Sequence, residues 1–298
     1  MSIYSQIDSN KFKSWLVIVL FVAFISVLVY VFGQALDYGL GIAGIALIVS
    51  GLISFGSYYY SDKIVLGISK AHQAQKSNYP ELFRTVENLK IASGIPMPRI
   101  YVINDSAPNA FATGRDPDRA VVCVTTGILE KLNKLELEGV IAHELSHIRN
   151  FDIRLMSIVS ILVGMVALLA DIFTRSLWFG HGIGRRRDGS SQGVFLLIGI
   201  ILAVLSPIIA TLIHLAVSRK REFLADASGS LLTRYPEGLA SALEKIAKDK
   251  EPLEAANNAT AHLYIVNPFK GKELHNWFAG LFNTHPPIEE RIKILRSM

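Results

Sequence analysis

His143-Glu144-Leu145-Ser146-His147 decides how the rest of this chain is read. Residues four apart on a helix lie one above the other, so both imidazoles share a face. That spacing lets them reach one Zn²⁺ at bonds of about 2.0–2.1 Å. Glu144 sits roughly 100° around the helix, beside such an ion and not pointing at it. A carboxylate there can take a proton from an activated water and return it to a leaving amine. The pattern is the zinc-protease signature, and two surface histidines on an ordinary amphipathic helix are the plainer alternative.

The composition frames this helix. The chain has 298 residues, of which 51% are hydrophobic and 18% charged, with a mean hydropathy of +0.37. That balance is too apolar for a purely soluble domain and predicts membrane spans. The net charge of +5 is modest. Its basic residues cluster beside apolar runs, which points to anionic membrane lipid and away from nucleic acid. Cys123 is the single cysteine, so no internal disulfide is available, and its apolar neighbours predict core packing.

Four apolar blocks surround the histidine helix. The first, Ser14 to Gly33, carries no charge and is long enough for one crossing. It is too long for an ordinary signal-peptide core and reads as an uncleaved anchor. The second, Tyr38 to Tyr60, ends in three tyrosines suited to the membrane interface and forms a hairpin with the first. The third, Leu155 to Ala170, is short for a span and is followed by Asp171 and Arg175, an i,i+4 pair at the membrane edge. The fourth runs from Gly193 to Val217. Lys11, Lys13, Lys63, Arg219, Lys220 and Arg221 favour one side, which places both termini and the histidine helix in the cytoplasm. Arg185, Arg186 and Arg187 fall on the opposite side in this arrangement.

Between the hairpins the pattern is that of a mixed α+β domain. Pro80 to Ala92 reads as an amphipathic helix, ended by Gly94, Pro96 and Pro98. Short strands follow at Ile100–Ile103, Ala110–Thr113 and Ala120–Thr125, with Asp116-Pro117-Asp118 as a turn. Asn133 with Glu136 predicts a capping box opening the histidine helix. Gly139, one turn before His143, either leaves room above the metal or marks a close helix contact.

A catalytic zinc usually has three protein ligands and an open position. Glu222, Asp226, Asp152 and the remaining histidines are the choices. Glu222 ranks first, because it follows the fourth block as directly as His143 and His147 precede the third. Asp226, one turn on, could accept the free N–H of a ligating histidine. Asn109, Ala110, Phe111 and Ala112 form a short strand flanked by Pro108 and Gly114, either an exposed sheet edge that pairs with extended substrate or an ordinary edge strand. His285 precedes two prolines; it is either an oxyanion donor or simply the residue before a final helix that Pro287 opens. Arg291 is placed to pair with a carboxylate near the site.

Together His143 to His147 with Asp152, Ser218 to Asp226, Pro108 to Ala112, and Thr284-His285-Pro286-Pro287 with Arg291 carry a family likeness. The chain resembles the HtpX family of membrane zinc metalloproteases, relatives of the CAAX prenyl endopeptidases. The resemblance implies that His143, His147 and Glu222 bind one zinc and that Glu144 is the general base. It also implies a cytoplasm-facing site that removes damaged or misassembled membrane proteins, working beside other membrane quality-control proteases. The expected architecture is a mainly α integral membrane protein carrying a cytoplasmic α+β zincin-like (gluzincin) domain with a small sheet. Residues 1–60 and 153–217 would be transmembrane hairpins, and 61–152 and 218–298 the two parts of the protease domain. An intramembrane protease and a non-catalytic adaptor with a vestigial zinc fold are the competing readings. Polar neighbours such as Glu136, Arg149 and Asp152 disfavour the first, and the intact Glu144 disfavours the second.

Overall fold

A computed structural model describes residues 8–23, 41–162, 219–256, 260–268 and 286–298. Two N-terminal helices, α1 over 8–23 and α2 over Gly41–Ile68, precede the protease domain. Helix α2 coincides with most of the second apolar block and is kinked at Tyr60 (φ −110°, ψ 15°). Among the described residues no helix is long and apolar enough to cross a membrane. The fourth apolar block, the second halves of the first and third, the start of the second, Asp171, Arg175, Arg185 to Arg187 and His285 lie outside the described residues.

The domain is mostly helical around a four-stranded mixed sheet of order β1-β2-β4-β3. Its strands are β1 (His72–Gln73), β2 (Arg99–Ile103), β3 (Ala110–Thr113) and β4 (Val121–Thr125). β2 and β4 run parallel, and β1 and β3 add antiparallel at the two edges. The strand β4 reads Val-Val-Cys-Val-Thr because both faces of the sheet are covered. Val122 and Val124 pack into the larger core with Ile100, Leu82 and Val140. Val121 and Cys123 face a second cluster containing Phe111, Leu263 and Tyr264. The two-residue β1 is too short for any periodicity and was not predicted.

Five helices complete the larger core: α3 (Pro80–Ser93), α5 (Lys134–Arg149), α7 (Arg219–Thr233), α8 (Pro236–Lys248) and α9 (Ile288–Leu295), with the short α4 (Thr126–Lys131) leading into α5. Helix α3 buries Leu82, Val86 and Leu89 at helical spacing. The predicted capping box opens α5: the Asn133 side chain accepts from the Glu136 N–H at 3.0 Å, and the Glu136 carboxylate accepts from the Asn133 N–H at 2.8 Å.

Two close approaches hold α5 in place. A Cβ on Gly139 would stand 2.6 Å from the Leu239 nitrogen of α8, and one on Gly229 would stand 2.9 Å from the His143 nitrogen. Gly139 therefore marks a helix contact and not space above a metal. Gly229 lets α7 lie against α5 at the histidine itself. After α5 the chain turns through Phe151, a non-glycine residue at φ +59°. It then enters a helix over 152–162, here α6. Ser157 of α6 bonds to Thr113, and Ser160 to His262. The start of the third apolar block thus packs on the protease domain, and contacts cross the boundary expected after residue 152.

Candidate metal centre and active site

Helix α5 presents His143 and His147 one turn apart, and α7 crosses it with Glu222 two turns before the Gly229 contact. The two Nε2 atoms are 3.1 Å apart. Glu222 Oε2 is 3.7 Å from His143 Nε2, and Oε1 is 3.5 Å from His147 Nε2. One donor atom from each of the three residues falls within 4.8 Å of the others. Two nitrogens 3.1 Å apart can both bond one ion at about 2.0–2.1 Å.

Carboxylates hold the far side of each ring. His143 Nδ1 is 3.0 Å from Asp226, and His147 Nδ1 is 3.0 Å from Asp152. With a carboxylate beside each Nδ1, both Nε2 atoms turn toward the same point, where a shared proton or a metal ion can sit between them. Arg291 of α9 clamps Asp226 bidentately at 2.8 and 2.7 Å, donates to the Ile265 carbonyl at 3.1 Å, and stands 3.6 Å from Glu222. Arg221 approaches Asp152 at 3.7 Å. His143, His147, Asp152, Glu222, Asp226 and Arg291 are each 4% exposed or less. The carboxylates Glu144, Glu222, Asp226 and Asp152 outnumber the guanidiniums of Arg291 and Arg221, so the pocket is acidic and suits a cation. The donor set and the charge both fit such an ion.

The same environment tunes the protons. Burial lowers the His143 pKa, and the nearby positive charges add to this, overcoming the Asp226 contact. Burial alone would lower His147 too, but the Asp152 hydrogen bond and the charges of Glu222 and Asp152 lift it to about 9. Burial pushes Glu144 up to about 7, with the Glu222 charge in support. Burial also raises Asp226, but the Arg291 guanidinium outweighs it and holds the carboxyl below its usual range.

Glu144 also lies beside the sheet edge, where the Ala112 backbone close to its carboxylate offsets part of the rise in its pKa. The Thr125 N–H bonds the Asn109 carbonyl at 3.0 Å. By antiparallel alternation, Ala110 and Ala112 then turn their main-chain groups outward, away from β4. The expected open edge is nevertheless not exposed. Asn109, Ala110, Phe111 and Ala112 are all buried. The Ala110 carbonyl accepts from the Ile265 N–H at 3.0 Å, and the Asn109 amide donates to the Val266 carbonyl at 3.0 Å. A segment more than 150 residues downstream, up to 157 away, covers that half of the edge, which no local pattern could reveal. The part nearest the site is Ala112.

The structure brings together His143, Glu144, His147, Glu222, Asp226, Asp152 and Arg291 as the sequence reading expected, and His285 lies outside the described residues. Sequence reasoning missed Gly229 and the buried Asn10. Gly229 follows Glu222 by seven residues, two helical turns, so a small-residue contact was legible there. Arg221, counted from the sequence among the charges that favour one side of the membrane, is buried.

The sequence profile of Peptidase family M48 matches residues 76–298. The chain belongs to peptidase family M48. It is 45% identical to the Protease HtpX homolog of Dictyoglomus thermophilum over 99% of this chain and 94% of that one. It is 46% identical to the Protease HtpX homolog of Thermoanaerobacter pseudethanolicus over 100% of this chain and 98% of that one. Among solved structures, S. mikatae Ste24p superposes with a TM-score of 0.50 at 17% identity, covering 98% of this chain and 67% of that one. That likeness concerns the fold. Family M48 membership and the HtpX homologues establish a metalloprotease, in line with the resemblance read from the motifs.

Proposed function

We propose that this M48 protease is a zinc-dependent endopeptidase of the cell membrane, hydrolysing peptide bonds of membrane or misfolded proteins at the cytoplasmic face. The observation that carries the zinc reading is the convergence of His143, His147 and Glu222 donors within 4.8 Å, with Glu144 beside them. Zinc held there supplies Lewis-acid polarisation of the scissile carbonyl and lowers the pKa of a water to about 7. Glu144 takes the proton that the attacking water gives up and passes it to the departing nitrogen. Asp226 and Asp152 keep the ligand rings turned inward. The outer edge of β3 at Ala112 runs beside Glu144, where an extended substrate would pair. No covalent acyl-enzyme is needed.

Membrane attachment is supported by an inverted helix. On α1 the buried residues are Asn10, Ser14, Val17 and Phe21, whereas Phe12, Trp15, Val19 and Leu20 are exposed. On α2, Ile48, Leu52 and Phe55 are exposed as well. Large apolar side chains turned outward fit lipid. In this reading residues 1–60 and 153–217 form hairpins through the bilayer, with the protease domain split between 61–152 and 218–298. Substrates are then segments that reach the cytoplasmic interface, as in the turnover of damaged membrane proteins under stress, alongside other quality-control proteases.

The test is zinc content and casein cleavage by full-length protein in detergent, wild type beside Glu144→Gln. Zinc in both with cleavage by wild type alone is expected. Cleavage by Glu144→Gln would remove Glu144 from the mechanism, and a wild type without zinc would remove the metal reading. Retention in the membrane pellet after alkaline carbonate washing checks the attachment.

A further inference from the structure

We propose that the N-terminal helix is a clamp on the metal centre, with Asn10 as a positioning residue that acts through Asp152 on His147. The inference rests on the zinc reading above. Asn10 is 1% exposed, although Phe12, Trp15, Val19 and Leu20 of the same helix are exposed. Its amide donates twice: to the Asn150 carbonyl at 2.9 Å and to Asp152 Oδ1 at 2.8 Å. The first acceptor is a carbonyl at the C-terminal end of α5, one that the helix itself leaves unsatisfied. The second is the carboxylate whose other oxygen meets His147 Nδ1 at 3.0 Å. Arg221 reaches the Asn10 amide oxygen at 3.5 Å, so the residue preceding Glu222 joins the same knot.

A second contact grips the same turn. Lys11 Nζ lies 4.6 Å above the ring of Phe151, the residue between the two Asn10 acceptors. Phe151 sits in the left-handed region, a conformation that persists only when its surroundings enforce it. Two neighbouring residues of α1 therefore hold all three residues of a strained turn, and that turn orients a metal ligand. A carboxylate free to rotate would let the His147 ring swing, since the partner on Nδ1 sets where Nε2 points. Because α1 runs on into the first apolar block, anchoring of that segment and the aim of His147 form one mechanical unit.

The experiment is zinc affinity by competition with a chelator, using Zn²⁺ alone and full-length protein in detergent. Asn10→Ala is expected to weaken zinc about tenfold, the low end for residues supporting a metal ligand. Asn10→Leu keeps the branched shape, leaves no cavity and removes the amide, and it should show the same loss even if the cavity of Asn10→Ala impairs folding. Added to Asp152→Asn, Asn10→Ala should cost little more, because its route to His147 is already cut. Ser14→Ala alters the same buried face but bonds only within α1, to the Asn10 carbonyl at 2.8 Å, and should leave affinity unchanged. Wild-type affinity in both Asn10 variants, full additivity with Asp152→Asn, or an equal loss in Ser14→Ala would each overturn the clamp. A wild type that binds no zinc would overturn the metal reading and the clamp together.

Discussion

Arg291→Met tests how the buried charges support the centre. Arg291 is fully buried and makes three hydrogen bonds, two of them to Asp226. Methionine fills much of the same space without charge, leaving Asp226 and Glu222 without their shared counter-ion. Removing one partner of a buried ion pair typically costs 3–5 kcal/mol, because the remaining charge stays desolvated. At about 2–4 °C per kcal/mol, the metal-free protein should lose on the order of 10 °C in Tm. The double variant Arg291→Met with Asp226→Leu replaces both charges by apolar groups, and it should recover much of that stability. It should not recover zinc affinity, since His143 has then lost its Nδ1 partner. Thermal unfolding and chelator competition on the three proteins separate the two effects. A single variant within about 1 kcal/mol of wild type would refute the reasoning, because no buried charge would then have been exposed to its desolvation cost.

Other outcomes follow from the packing around the site. Gly229→Ala forces a methyl group to 2.9 Å from the His143 nitrogen and should cost about 1–3 kcal/mol, with weaker zinc binding as α7 shifts from α5. Asn133→Ala removes one arm of the α5 capping box and should cost about 0.5–2 kcal/mol in thermal unfolding, with zinc stoichiometry intact. Cys123 is wholly buried, and burial, aided by the Glu144 charge, pushes its thiol well above the usual range. It should resist maleimide in the native protein and react only after denaturation. Labelling of Cys123 at native pH on the timescale of an exposed thiol would contradict the two-sided core.

The sequence by itself determined whatever depends on short-range spacing. The i,i+4 histidines, the Asn133–Glu136 box, the Glu222–Asp226 turn and the strands at Ile100, Ala110 and Val121 all follow from helical or strand periodicity over a few residues. Even the approach of Glu222 to the two histidines was legible, because Glu222 stands to the fourth apolar block as the histidines stand to the third. Tertiary structure alone decided what depends on segments far apart in the chain. Ile265 covers Ala110, so an edge strand that looked open is buried. Gly139 proved to be a contact with α8, a choice its local sequence left undecided. Asn10 reaches Asp152 across 142 residues, and nothing in its own flanks distinguishes it from an ordinary polar residue ahead of an apolar run. A hydrogen bond of that range is chosen by the docking of whole elements, and local patterns carry no record of it.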